Sequence, residues 1–278
     1  MRSIIIAVLM VAGVLAQDFI PFHEKLTPEW QKKIAKAGIS REIDYIDTPG
    51  FDVKDGDLPG YFSTFVYDQN GKLTFAAQKL QTDEKASEYE FKYGESGDLQ
   101  EITMSWSDNF NNATKFVYSF TYDEGKLSYV ARFDGIEEVG GATLQWLYVY
   151  GSNGKPTEIT AKHFPSPESG MFDELGKYLF DSQGRIKSYI SGDLKVSYSY
   201  DSRGNLSEVV KESGNIKIVT VNTYDKNGNL MKSSNTGDAA ESFETYTINA
   251  QGFPEKKTTL IKMTGLPDET VNYLYYYE

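Results

Sequence analysis

Hydrophobic and polar residues alternate along most of this chain with a period of two. Phe116, Tyr118, Phe120 and Tyr122 fall on one face, as do Tyr89, Phe91 and Tyr93, then Trp146, Tyr148 and Tyr150, then Tyr198 and Tyr200. The intervening positions are more polar, for example Glu90, Lys92, Ser197 and Ser199. Such alternation predicts β-strands with one better-buried face. Each aromatic run ends in a turn signal. Tyr67-Asp68-Gln69-Asn70-Gly71-Lys72-Leu73 is a full copy, and so are the stretches from Tyr200 to Leu206 and from Tyr224 to Leu230. Phe180 to Ile186 keeps the chemistry, and more worn copies start at Tyr93, Tyr122, Tyr150 and Ile248.

The motif has a physical reason at each place. Asp68, Asp181, Asp201 and Asp225 sit where a turn-opening carboxylate accepts backbone hydrogen bonds. Gly71, Gly184, Gly204 and Gly228 sit where the chain needs positive φ. A type I turn followed by a left-handed glycine joins two antiparallel strands through a bulge. After the turn, Leu99 is followed three residues on by Ile102, Leu127 by Val130 and Leu206 by Val209. That break in strict alternation also predicts a bulge. The eight copies follow one another at intervals of 20 to 30 residues. Eight hairpins imply about sixteen strands in a meander, a sheet long enough to coil, split or close.

The fold expected is therefore all-β: a long antiparallel meander of repeated hairpins, coiled or partly closed, with a short N-terminal helix. The helix is read from Thr27 as cap, Pro28 at the first position and Gly38 past the end, with Leu26, Trp30 and Ile34 on one stripe. Its expected place is over the sheet's first edge or open face. Residues 47 to 60, rich in Gly and Pro, read as a linker. The chain thus divides into a signal segment (1–16), a helix and linker (17–60) and the repeat domain (61–278).

The motif resembles the YD repeat, also called the Rhs repeat, of bacterial surface and toxin-shell proteins. The resemblance covers roughly residues 61 to 278 and is strongest from Ser197 to Val209 and from Thr223 to Leu230. It implies hairpins in a long spiralling sheet, which in large members encloses a cargo. This chain departs from those members in size, with eight units and no appended toxin domain. The family motif carries no catalytic residues to transfer.

Composition narrows the setting. The 278 residues carry 40 acidic and 28 basic side chains, a net charge of −12, and no basic run that would hold a phosphate backbone. Nucleic acid is therefore not an expected partner. Arg2 followed by the apolar stretch from Ile4 to Ala16 reads as a cleavable signal peptide, with cleavage after Ala16. The stretch is shorter than the roughly 20 apolar residues of a membrane span, and no other segment could span as a helix. The expected location is secreted, periplasmic or at the cell surface. The absence of Cys leaves the fold to its core and hydrogen bonds.

Common catalytic sets are missing. Only His23 and His163 could serve a triad or a zinc site, and neither has a partner at ligand spacing. Asp225, Asn227 and Asn229 alternate like the start of a calcium loop, but the glycine comes too early and Thr236 stands where the closing Glu belongs. No metal or cofactor is expected. The irregular connections opposite the turns carry Trp106, Phe110, His163, Phe164 and Phe172, the candidate ligand-binding residues, suited to stacking on a glycan or gripping a surface protein. The sequence favours a non-enzymatic, exported binding or structural module of the cell surface or envelope. The alternatives are a carboxylate-dependent glycan-acting enzyme and a small component of a toxin-shell or surface-delivery system.

Overall fold

The computed structural model describes residues 20–47, 61–79, 85–107, 113–135, 141–166, 169–238 and 240–278. A 3-10 helix (His23–Leu26) and α1 (Pro28–Ala37) precede eighteen strands. These are β1 (Arg41–Ile46), β2 (Phe62–Tyr67), β3 (Leu73–Lys79), β4 (Ser87–Tyr93), β5 (Leu99–Ser107), β6 (Ala113–Asp123), β7 (Lys126–Asp134), β8 (Leu144–Tyr150) and β9 (Pro156–His163). Then come β10 (Asp173–Phe180), β11 (Ile186–Ser191), β12 (Leu194–Tyr200), β13 (Leu206–Ser213), β14 (Ile216–Tyr224), β15 (Leu230–Gly237), β16 (Ala240–Ile248), β17 (Pro254–Met263) and β18 (Glu269–Tyr277).

Each strand pairs antiparallel with the next, and β18 pairs back onto β1, with Glu42 opposite Tyr277. The meander closes completely into a barrel, which removes every sheet edge. The motif hairpins supply β2 to β17, and the ring is completed by β1 and β18. The eight motif turns lie at one end of the barrel and the other connections at the far end.

The turns are built alike. Asp201 Oδ1 accepts the backbone N–H of Arg203 at 2.9 Å and of Asn205 at 2.8 Å. Asp68, Asp181 and Asp225 accept the corresponding pairs, and Asn249 does the same with its amide oxygen. Gly71, Gly184, Gly204 and Gly228 hold φ between 77° and 88°. The register shifts by one residue beside every motif aromatic, as between Ser199 and Tyr200. That is the bulge the Leu-to-Val spacing predicted.

The motif tyrosine has a further task. Its hydroxyl donates to the carbonyl at the start of the strand that follows the preceding turn. The pairs are Tyr93 to Leu73 (3.0 Å), Tyr122 to Leu99 (2.9 Å), Tyr150 to Leu127 (2.9 Å), Tyr200 to Ile186 (2.8 Å) and Tyr224 to Leu206 (2.9 Å). Five hairpins are thereby clasped to the one before. Phe180 and Ile248 have no hydroxyl to give, so the hairpins β10–β11 and β16–β17 make no such clasp.

All these aromatics point inward. Strand β4 shows the division: Ser87, Tyr89 and Phe91 are buried while Glu88, Glu90 and Lys92 are exposed. A round ring of eighteen strands spaced about 4.8 Å apart is roughly 30 Å across. The N-terminal segment sits inside it at the turn end. Phe22 meets Phe65 and Tyr89 edge-on at 5.2 and 4.8 Å, and Trp30 meets Phe253 at 5.7 Å. Ile34 is fully buried in the same core. No helix lying outside the barrel could touch inward residues on strands so far apart. Of the two places expected for this helix, the first edge or the open face, the closed ring has no edge, and the helix lies against the inner face and plugs the turn-end mouth.

Candidate functional site

The plug forms from local signals. Thr27 Oγ1 accepts Trp30 N–H at 3.3 Å, Pro28 opens α1, and Gly38 ends it at φ 68°. It is fastened to the ring by polar contacts. Lys25 Nζ reaches Glu42 Oε1 at 2.7 Å, Tyr67 donates its hydroxyl to Glu42 Oε2 at 2.8 Å, and Trp30 Nε1 donates to Tyr67 at 3.3 Å. Lys33 Nζ donates to the Gly252 carbonyl at 2.5 Å. At Gly71 the backbone of α1 approaches so closely that a Cβ would stand 2.0 Å from the Gln31 carbonyl oxygen. A helix is only about 10–12 Å wide with its side chains, so the plug fills part of the mouth. A cleft of about 330 Å³ remains beside it, lined by His23, Leu26 and Gln31 on the plug side and by Leu99, Tyr122 and Tyr148 on the wall.

Two kinds of wall face the lumen. From β3 to β12 most inward positions are apolar or aromatic: Leu73, Ala76, Phe91, Ile102, Val130, Trp146, Ile159, Tyr178, Ile186 and Val196 are buried, while Gln78, Ser87 and the Arg132–Asp134 pair are polar inward positions toward the far end. From β14 round to β1 they turn polar. Thr220 donates to Asn235, whose amide donates to Ser242 at 3.1 Å. Tyr246 donates to Glu244 Oε2 at 2.8 Å, and Lys257 lies 3.6 Å from the other oxygen of Glu244 and 4.1 Å from the centre of the Tyr273 ring. Glu244 and Lys257 point inward yet keep 22% and 21% of their side-chain surface exposed, so water reaches this wall.

Strand β1 adds Glu42 and Asp44 to the polar wall. Glu42 is 1% exposed and held by Lys25 and Tyr67. The carboxyl of Asp44 is pushed up to about 7, first by burial and then by Glu42 beside it, while Lys25 and Lys257 pull the other way. Burial likewise raises the phenols of Tyr67, Tyr246, Tyr275 and Tyr277 far above the ordinary value, with nearby carboxylates adding to the shift.

The outer face is charged around most of the ring. Lys92 pairs with Glu101 at 2.5 Å, Lys177 with Glu158 at 3.5 Å and Lys217 with Glu212 at 3.2 Å. Over β1, β2 and β3 it is apolar instead: Ile43, Tyr45, Phe62 and Ala77 form a second buried cluster, flanked by Leu274 and Tyr276 of β18. Among the described residues no helix is long and apolar enough to cross a membrane, and no group of three or more His, Cys, Asp or Glu is placed to hold a metal ion.

The candidate aromatics lie at the far end. Phe164 and Phe172 meet at 5.7 Å, and Lys162 Nζ stands 4.0 Å over the Phe172 ring. His163 is beside them, paired with Leu144 and Asp173. Trp106, 37% exposed, rises from β5, four strands away round the ring from β9. Phe110 lies outside the described residues, as does the apolar stretch from Ile4 to Ala16. Asp225 is fully engaged in its own turn, accepting Asn227 and Asn229 N–H on one oxygen and the Asn229 side chain on the other. Sequence reasoning missed the polar wall entirely. Its only signal is the alternation of Glu42 with Asp44 and of Ser242 with Glu244 and Tyr246.

No family model matches the chain, and no curated protein matches it. Among solved structures, a porin-like protein from Bacteroides uniformis is similar at 13% identity, covering 86% of this chain and 96% of that one, with a TM-score of 0.46. A TcdB2-TccC3 structure without its hypervariable C-terminal region is similar at 11% identity, covering 84% of this chain and 17% of that one, with a TM-score of 0.27. Likenesses this distant carry no argument, and the architecture rests on the strand pairing itself.

Proposed function

We propose that this chain is a short, exported YD-type repeat protein that works as a non-enzymatic binding or structural module, in water, at the cell surface or in the envelope. The observation that carries the reading is the polarity of the two faces. The outer surface presents lysine and glutamate along most strands, its apolar cluster is confined to β18, β1, β2 and β3, and most aromatics turn inward. A barrel seated in lipid needs an outward apolar band, and charges there are penalised. The plugged, aromatic-lined lumen and the aromatic rim at the far end give such a module its binding surfaces. The signal-like stretch before residue 17 supports export.

A test is fractionation of cells expressing the whole chain. The protein is expected in the periplasmic or culture fluid without detergent. Recovery only from detergent-treated membranes would overturn the water-facing reading. The rival reading, a glycan-acting enzyme, draws on Asp44, a buried carboxyl held protonated near neutral pH beside Glu42. Release of reducing ends from polysaccharides by the purified protein would establish it in place of the module.

A further inference from the structure

Among the described residues three buried side-chain oxygens make no hydrogen bond: Asp44 Oδ1 on β1, Thr259 Oγ1 on β17 and the Tyr277 hydroxyl on β18. Two of them flank Glu42. Asp44 lies two residues along the same inner face of β1, and Tyr277 stands directly opposite Glu42 in the register. Unpaired buried atoms are unfavourable, and native structures rarely keep them without a reason.

The group they flank is a buried amine held on a buried carboxyl. Lys25 Nζ lies 2.7 Å from Glu42 Oε1, with the two side chains only 12% and 1% exposed. The Trp30 and Phe65 ring centres are 4.2 and 4.9 Å from the same nitrogen. Keeping two charges out of water is costly. Joining them as an amide removes both, and a site that excludes water favours the loss of water. A nitrogen so close to a carboxyl oxygen is also near the separation of about 3–3.5 Å from which it can attack the carbon. Tyr67 donates to the other oxygen, Glu42 Oε2, at 2.8 Å, where negative charge grows during such an attack. Asp44 keeps its proton up to about pH 7, through burial first and then through Glu42, so a proton donor stands on the same face.

We propose that Lys25 and Glu42 condense into an isopeptide bond that fastens the plug covalently to β1, with Asp44 as the proton carrier and Tyr67 as the donor to the oxyanion. Lys25 passes one proton to Oε1, and its freed electron pair forms the bond to Glu42 Cδ. Asp44 gives its proton to Oε1, the C–O bond breaks and one water leaves. Oε2 remains as the amide oxygen, and the surplus proton on the nitrogen returns to Asp44. The link gives a chain without Cys a covalent fastening of its own. It goes beyond the module reading and does not depend on it.

The test is the intact mass and the tryptic map of the purified, folded full chain. The expected mass is one water below that of the processed sequence. Trypsin should fail to cut after Lys25, and the peptide carrying Lys25 should be joined to the one carrying Glu42. Lys25→Arg keeps the charge without an attacking amine and should restore the missing water. Asp44→Asn should slow the joining about a hundredfold or more. A wild-type barrel at full mass, with Lys25 and Glu42 recovered in separate peptides, overturns the proposal, whether or not the variants fold. So does a loss of water that persists in Lys25→Arg. Joining at an unchanged rate in Asp44→Asn overturns the role given to Asp44.

Discussion

The wall from β3 to β12 and the wall from β14 to β1 are made by the same hairpin and carry opposite chemistry. In the first, aromatic and aliphatic residues take most inward places and most charges face out, the Arg132–Asp134 pair at the far end excepted. In the second, Asn222, Asn235, Glu244 and Lys257 take the inward places, while Val221 and Phe243 lie outside, 45% and 36% exposed. If burial alone chose the register, the second half would flip by one residue and bring its apolar set inside. It does not, because Tyr224 is clasped to Leu206 and the Asp225 turn is closed by four hydrogen bonds from its own loop. The turn and the clasp set which face is inner. Burial then stabilises the face where that face is apolar.

The largest effect should come from the aromatic wall. Ile102 is fully buried there, so Ile102→Ala should lower stability by about 2–5 kcal/mol, while Ser233→Ala on the polar wall should change it by less than about 1 kcal/mol. Urea unfolding of the two variants measures the contrast, and equal losses would abolish it.

A second contrast lies between two turns with the same motif. A side chain at Gly71 meets both positive φ and the plug backbone, whereas at Gly204 the nearest atom to a new Cβ is 3.8 Å away. Gly204→Ala should cost about 1 kcal/mol from the backbone alone. Gly71→Ala should cost clearly more and loosen the plug, read by proteolysis ahead of β1.

Protonation separates the walls with opposite signs. Asp44 keeps its proton in the folded barrel up to about pH 7. The unfolded chain gives it up near the ordinary value, so stability declines as pH rises from about 4 to about 7, by an order of a few kcal/mol. Asp201 and Asp225 are shifted the other way, each first by its asparagine partner and then by backbone N–H groups. Their contribution is present above the ordinary carboxylate range and is lost in acid. Asp44→Asn should make the urea midpoint equal at pH 5 and pH 8, and a midpoint still falling in that variant would assign the decline elsewhere.

The smallest effect tests the clasp. Tyr122→Phe removes the bond to Leu99 and should cost about 1 kcal/mol. Phe180→Tyr would bring a hydroxyl to the place from which the other motif tyrosines reach the preceding hairpin and should be neutral or stabilising by a few tenths of a kcal/mol. Thermal melts of both variants give the sign.

The hairpins were legible in the sequence because their chemistry is local: a carboxylate two and four residues from the amides it binds, and a glycine where φ is positive. The inward aromatic face was legible from period-two alternation. Strand β1 was not, because Glu42 and Asp44 occupy its inner positions and no motif turn adjoins it. Closure was not legible either, since nothing in Glu42 announces Tyr277. The polar wall stayed hidden for the same reason: its members come from strands that only closure brings together. The proposed rim aromatics were read from irregular spacing, and the fold draws Phe164 to Phe172 while leaving Trp106 apart.

The ring is sealed where Ser40 and Arg41 both donate their backbone N–H to the carbonyl of Glu278. Every other pairing in the ring joins strands that follow one another in the chain. Most of the barrel can therefore zip up hairpin by hairpin with little loop entropy to overcome, and one long-range step remains. That step brings residue 42 to residue 277. It also means that a circular permutant, joined across this seam and opened at a motif turn such as Asp201 to Asn205, has the same ring with its slow step moved to a place of the experimenter's choosing.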